Sequence, residues 1–295
     1  MGARDLGALL LLSALWGASF IFIRVAVPTL GPFVLVELRV GVAAVALALC
    51  AALLGRVPKL RARWRQFVLL GTVNVAIPFS LISASEITLT ASLAAILNST
   101  TVMFTVVVAA VWMGDALTMR KVAGVVLGVL GVTVLVGWDP IAMNWVVVLS
   151  VGAMLAASLS YALGAVYAKR TFTGATPMTI AIGQLTVASM LILPLAGVSL
   201  PDERPTAVAT LSVLALALLS TAVAYMLYFR LIENVGPTST STVTLLVPLF
   251  GLLFGVLILD EPVGLGTLAG LVLILSSVTL ITGLGFSGAK IKTRV

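Results

Sequence analysis

Ten apolar runs of membrane-crossing length occupy almost the whole sequence, and they decide what the chain can fold into. A helix needs about 20 mainly apolar residues to cross roughly 30 Å of hydrocarbon. The runs are Leu6–Val27, Pro32–Leu54, Gln66–Ala84, Ala91–Trp112, Val122–Val136, Trp145–Ala168, Met178–Ala196, Ala207–Phe229, Ser239–Leu259 and Leu265–Leu284. The fifth is the shortest and is expected to gain a turn at its start, with Arg120 and Lys121 reaching to the interface. Barrel strands would instead give segments of about ten residues that alternate in polarity. The expected fold is an all-α integral membrane protein with ten transmembrane helices. Composition agrees. Of the 295 residues 61% are hydrophobic and 9% charged, against roughly 45–50% and about 25% in an average soluble domain. A water-soluble surface cannot hide that excess.

Scarce residue types exclude several chemistries. The single cysteine, Cys50, rules out an internal disulfide and a cysteine-cluster metal site. With no histidine, Ser-His-Asp triads, histidine proton relays and zinc sites of the usual kind are absent too. No metal and no cofactor are expected. The formal net charge is +7, but the basic residues sit in short breaks between apolar runs, so nucleic acid is not an expected partner.

Lys and Arg in short loops set the orientation of such a chain. The side that holds the N-terminus collects Arg4, Arg56, Lys59, Arg61, Arg63, Arg65, Arg120, Lys121, Lys169, Arg170, Arg230, Lys290, Lys292 and Arg294, all but three of the seventeen. Arg204 falls on the other side, while Arg24 and Arg39 lie inside spans. Both termini are therefore expected in the cytoplasm, with the chain multi-pass in the cell inner membrane. The opening run is of spanning length and nine more follow, so it reads as a retained span and not a cleaved signal.

The two halves match at a spacing of 145–146 residues. Gly114-Asp115 falls on Asp260-Glu261, Ala123-Gly124 on Ala269-Gly270, Val132-Thr133 on Val278-Thr279, and Gly137 on Gly283. Trp16 meets Tyr161, Arg24 meets Lys169, Pro32 meets Pro177, and Arg39 meets Gln184. Five spans is an odd number, so the second unit enters the membrane from the opposite side. Two inverted five-helix repeats are expected, 1–139 and 140–295, with a central site near the midplane that suits alternating access.

These residues carry a resemblance. Leu15-Trp16-Gly17 in the first span, the run from Pro248 through Asp260-Glu261-Pro262 to Gly270, and the weaker Met113-Gly114-Asp115 to Gly124 run resemble the drug/metabolite transporter superfamily, in its ten-helix EamA-type branch. The resemblance covers about Asp5 to Gly285. It implies an exporter of small metabolites, since similar members export amino acids, aromatic ones included, and distant ones carry sugar nucleotides or triose phosphates. Tyr161 stands where the first half has Trp16, and Asp115 where a Glu is common.

Within the spans, Arg24 and Glu37 lie at similar depth and are expected to form a structural ion pair, because an unpaired charge at a span centre costs about 2.5–3.5 kcal/mol. Arg39 lies deeper and points elsewhere, so it is a candidate to attract a substrate carboxylate; the alternative is that Arg24 and Arg39 snorkel or satisfy helix ends structurally. Asn98, Thr101 and Thr105 share one helical face, and the repeat spacing sends Asn98 to Thr244 and Asn74 to Ser220. Asn74, Asn98, Thr101, Ser220 and Thr244 are candidates for lining a cavity; the alternative is interhelical hydrogen bonding. Trp16, Tyr161, Tyr225 and Tyr228 offer an amphipathic lining or simple packing. Trp64, Trp138 and Trp145 read as interfacial belt residues. Pro78 and Pro248 are hinge candidates or static bends. Asp115 and the Asp260-Glu261-Pro262 turn look like helix N-caps. Gly124/Gly128, Gly251/Gly255 and Gly266/Gly270 are faces for close helix contact.

The expected function is a secondary transporter that exports small metabolites, amino acids first, with broad specificity. A multidrug or sugar-nucleotide transporter of the same fold is the alternative. A membrane-embedded enzyme is disfavoured, because the spans hold no clustered carboxylates and no nucleophile–base pair. Partners are a small-molecule substrate and the lipid bilayer, and the chain is expected as a monomer or weak homodimer. Proton coupling stays open, with Glu37 the acidic group inside a span and Glu86 at a span edge.

Overall fold

The computed structural model describes residues 2–55, 58, 60–138 and 144–283. Arg56, Lys59, Lys290, Lys292, Arg294 and the expected unit boundary at 139/140 lie outside the described residues. Among those described, every regular element is helical. The helices are α1 (Ala3–Leu53), α2 (Leu60–Ser85), α3 (Ala91–Met113), α4 (Met119–Gly137), α5 (Trp145–Thr171), α6 (Pro177–Val198), α7 (Ala207–Gly236), α8 (Val243–Leu259) and α9 (Leu265–Thr282). Eight are long and apolar enough to cross a membrane, and the 17-residue α8 is a shorter apolar helix. This is a multi-pass membrane protein.

Most helices begin where the sequence supplies a cap. Thr90, Thr118, Asn144, Thr176 and Thr206 each accept, through the side chain, the backbone N–H three residues on, at the starts of α3 to α7. The fifth apolar run does gain its extra turn, since α4 starts at Met119. Asp115 is not its cap; Gly114 closes α3 in the left-handed conformation (φ 72°) and Thr118 opens α4. Nor does the Asp260-Glu261-Pro262 turn cap α9, whose N-cap is Gly264.

The 51-residue α1 would run about 75 Å if straight, more than twice the hydrocarbon thickness. Gly31 breaks it at φ 70°, ψ 163°, a conformation that favours glycine, and Pro32 restarts the helix without needing a donor. The apolar runs predict a connection at 28–31; a one-residue joint replaces it. The arms 3–30 and 32–53 then pack on different neighbours. Arg24 of the first meets the end of α2, while Cys50 Sγ of the second lies 3.7 Å from Met226 Sδ of α7.

Two helices carry a π-helical turn, Thr72–Ala76 in α2 and Leu218–Val223 in α7. They fall at the same 146-residue spacing found in the sequence. Pro78 lacks the N–H that would bond to Asn74 and its ring crowds that turn, and Ser160 Oγ donates to the Val73 carbonyl at 2.5 Å.

Small residues let the helices close together. A methyl group added at Gly124 would collide with Ile281, at Gly128 with Met103, at Gly251 with Ala95, at Gly255 with Ser92, at Gly266 with Trp138, and at Gly270 with Leu135. All three predicted glycine faces are thus spent on contacts inside the chain. Trp64, Trp138 and Trp145 project outward, each more than half exposed, as belt residues do.

One end of the bundle joins Asp5 to Asn234 (3.2 Å) and Arg63 to the Thr171 carbonyl (3.4 Å). The described basic residues Arg4, Arg61, Arg63, Arg65, Arg120, Lys121, Lys169 and Arg170 lie in the first or last turns of helices or beside them. At the opposite end the start of α3 meets the turn between α8 and α9.

Candidate functional site: a polar and aromatic cavity with one cation

A cavity of about 570 Å³ opens among α1, α2, α3, α5, α6, α7 and α8. Its wall includes all ten lining candidates named from the sequence: Trp16, Arg39, Asn74, Asn98, Thr101, Tyr161, Ser220, Tyr225, Tyr228 and Thr244. Pro248 also stands on it, whereas Pro78 is buried behind it in α2. α8 runs through Pro248 unbroken, and the helical path is interrupted at Ser241-Thr242 instead.

The polar centre is built around Arg39, which is 7% exposed. Its Nε donates to Thr221 Oγ1 at 3.1 Å, and its guanidinium carbon sits 3.8 Å from the centroid of the Phe79 ring. No further hydrogen bond reaches the guanidinium from the described residues, so its outer nitrogens face the cavity. Arg39 is the sole charged side chain of the wall among the described residues. Beside it runs a chain of amides and hydroxyls: Asn74 Nδ2 donates to Gln184 Oε1 at 2.9 Å, and Gln184 Nε2 to Tyr225 Oη at 3.2 Å. Asn74 needs the space that Gly164 leaves on α5. Both π turns belong to this centre, since Asn74 lies in one and Ser220 and Thr221 in the other.

Elsewhere on the wall, α3 and α8 offer hydroxyl acceptors. Thr101 donates its hydroxyl to the Asn98 carbonyl at 2.7 Å, and Thr244 to the Ser241 carbonyl at 2.8 Å. These hydroxyls have spent their hydrogens and can only accept from a ligand. Asn98 Oδ1 on α3 is buried with no partner, and so is Ser220 Oγ, next to Thr221 in the π turn of α7. Thr105, on the same predicted face, bonds to Thr101 O and stays off the wall. Aromatic rings complete the enclosure, with Trp16 and Tyr228 centroids 5.5 Å apart and Tyr161 edge-on to Phe79 at 6.2 Å.

The expected Arg24–Glu37 pair is not made. Arg24 Nη1 donates to the carbonyls of Glu86 and of Ile87, the latter at 2.8 Å, while Glu37 Oε1 accepts from Ser189 Oγ at 2.5 Å in a separate side pocket. Equal depth put the two charges at one level, but they point to opposite flanks of the α1 bracket, one toward α2 and one toward α6. Sequence reasoning also passed over Gln184, Thr221 and Phe79. The one available signal was that Gln184 stands at the repeat position of Arg39.

The EamA-like transporter family model matches this chain twice, over residues 6–137 and 148–283. The chain belongs to that family. The EamA-like chain is 28% identical to a probable amino-acid metabolite efflux pump of Escherichia coli (strain K12), over 96% of this chain and 94% of that one. It is 27% identical to the uncharacterized transporter YvbV of Bacillus subtilis (strain 168), over 90% and 88%. A solved crystal structure of a protein 19% identical superposes with a TM-score of 0.68, covering 96% of this chain and 98% of that chain. That likeness is one of fold.

Proposed function

We propose that this EamA-like protein is a secondary transporter of the cell inner membrane that exports amino acids, aromatic ones included. Its two units, 1–139 and 140–295, would cross the membrane ten times as inverted five-helix repeats, with both termini in the cytoplasm and alternating access to the cavity. The break at Gly31, which makes two spans of α1, and the π turns at matched positions in α2 and α7 support that reading. The carrying observation is the cavity wall. The Arg39 guanidinium, the one charge on the wall among the described residues, keeps free donors, and the Thr101 and Thr244 hydroxyls on α3 and α8 are uncharged acceptors. That division suits a carboxylate at one pole and an ammonium at the other, with Trp16, Tyr161 and Tyr228 leaving room for a ring. A quaternary ammonium compound would meet a cation and no wall carboxylate, so the multidrug alternative is disfavoured. The name of the E. coli relative agrees with this substrate class.

The test is uptake and counterflow in proteoliposomes across amino acids, quaternary ammonium compounds and sugar nucleotides. Amino acids should exchange and cations should not. Arg39→Gln removes a charge-assisted hydrogen bond of about 1.5–3 kcal/mol, so KM for an amino acid should rise by roughly 10–150-fold. Unchanged KM in Arg39→Gln, or counterflow of cations alone, refutes the assignment.

A further inference from the structure

Glu86, the residue that follows α2, is fully buried, and neither of its carboxyl oxygens has a hydrogen-bond partner. It sits one turn beyond Ile82, and Arg24 one residue beyond Ile23, where the cavity wall stops. The cavity extends the other way, to Ala168, Pro177 and Ile232 at the basic end. Glu86 thus lies in the closed lid between the cavity and the opposite end of the bundle.

Two contacts hold that lid. Arg24 binds the carbonyls of Glu86 and Ile87, tying α1 to the end of α2. Glu261 accepts from Ala91 N (2.7 Å), Ser92 N (2.9 Å) and Ser92 Oγ (2.5 Å), tying the α8–α9 turn to the start of α3. Glu261 therefore caps a helix distant in sequence rather than its own. The charged groups that face Glu86 are Arg24, Glu261 and Arg39. Arg24 is committed to backbone carbonyls, and Arg39 to Thr221 and Phe79. Neither cation bonds to the Glu86 carboxyl, and the Glu261 carboxylate repels its charged form. A buried carboxyl without donors is far better accommodated as the neutral acid.

We infer that Glu86 is the proton-binding group of a gate at this end of the cavity: the gate closes with its carboxyl protonated, and opening releases the proton to entering water. The inference rests on the transport reading above. Closure takes up one proton, so rising pH favours the open end, by up to about tenfold per pH unit between the two titration points. Linked to alternating access, such a gate makes substrate exit at this end proton-dependent.

The experiment reads gate opening without any substrate. Leu89, fully buried and off the cavity wall, is replaced by cysteine in a Cys50→Ser background. Its labelling by a hydrophilic maleimide in detergent is followed from pH 5 to 9, each rate divided by that of the unfolded protein to remove thiolate chemistry. The normalised rate should rise at least tenfold in the parent and stay low, within twofold, after Glu86→Gln, which mimics the protonated acid. The same rise in Glu86→Gln, or a flat parent, overturns the gate. If Glu86→Gln gives no monodisperse protein, Glu86→Asp is read instead: a displaced profile supports the gate and an identical one overturns it. Phenylalanine counterflow by a parent whose labelling is flat overturns the gate alone. A pH-dependent lid on a chain that moves no amino acid overturns the transport reading alone.

Discussion

Replacing Gly17 with alanine puts a methyl group where backbone already stands. Built on the observed helix, the new Cβ lies 2.6 Å from Phe250 Cβ, 2.9 Å from Gly251 N and 3.1 Å from the Phe250 carbonyl carbon. Carbon atoms in contact sit about 3.5–4.0 Å apart, so the first arm of α1 and α8 must separate by roughly 1 Å. Two of the three obstacles are main-chain atoms, and no rotamer change relieves them. Overpacking of this kind costs about 1–3 kcal/mol. The helix-propensity gain of about 1 kcal/mol from Gly to Ala works in the other direction, so a matched control is needed. Gly152→Ala supplies it, because Gly152 is exposed within α5 and its added Cβ meets nothing within 4 Å. Both variants share the propensity gain, and their difference isolates the collision. Thermal unfolding in one detergent should place Gly17→Ala about 2–12 °C below Gly152→Ala, at roughly 2–4 °C per kcal/mol. Equal midpoints, or a higher one for Gly17→Ala, would refute the claim that this crossing is set by the missing side chain.

Gln184→Leu breaks the Asn74–Gln184–Tyr225 chain and strands Asn74, so it should cost about 1–3 kcal/mol in unfolding free energy and weaken amino-acid transport; an unaltered melting curve would refute this. Glu37→Gln should leave transport and its pH profile unchanged, because Glu37 bonds to Ser189 away from the cavity. A shifted proteoliposome pH profile in that variant would assign proton handling to Glu37 and away from Glu86.

Hydropathy made the helices legible because a bilayer demands length and apolarity and little else. The cavity wall was legible for a different reason. Asn74 and Ser220 are polar residues at matched positions in otherwise apolar spans, and such groups are tolerated where something besides lipid meets them. Their π turns were not legible, since one extra residue per turn leaves hydropathy unchanged. The failed Arg24–Glu37 pairing marks another boundary: position along a span gives depth, while rotation about the helix axis is set by packing against α2 and α6. Glu261 was misjudged because a cap was sought within its own turn, whereas the amides it satisfies belong to Ala91 and Ser92.

The joint at Gly31 has a mechanical consequence. A looped connection would let two membrane rods tilt independently, but here only the torsions about one glycine separate them. Arg24 rides on one limb of this lever and Arg39 on the other. Any change in the angle between the limbs at Gly31 therefore alters the distance between the lid contact of Arg24 and the cavity contact of Arg39.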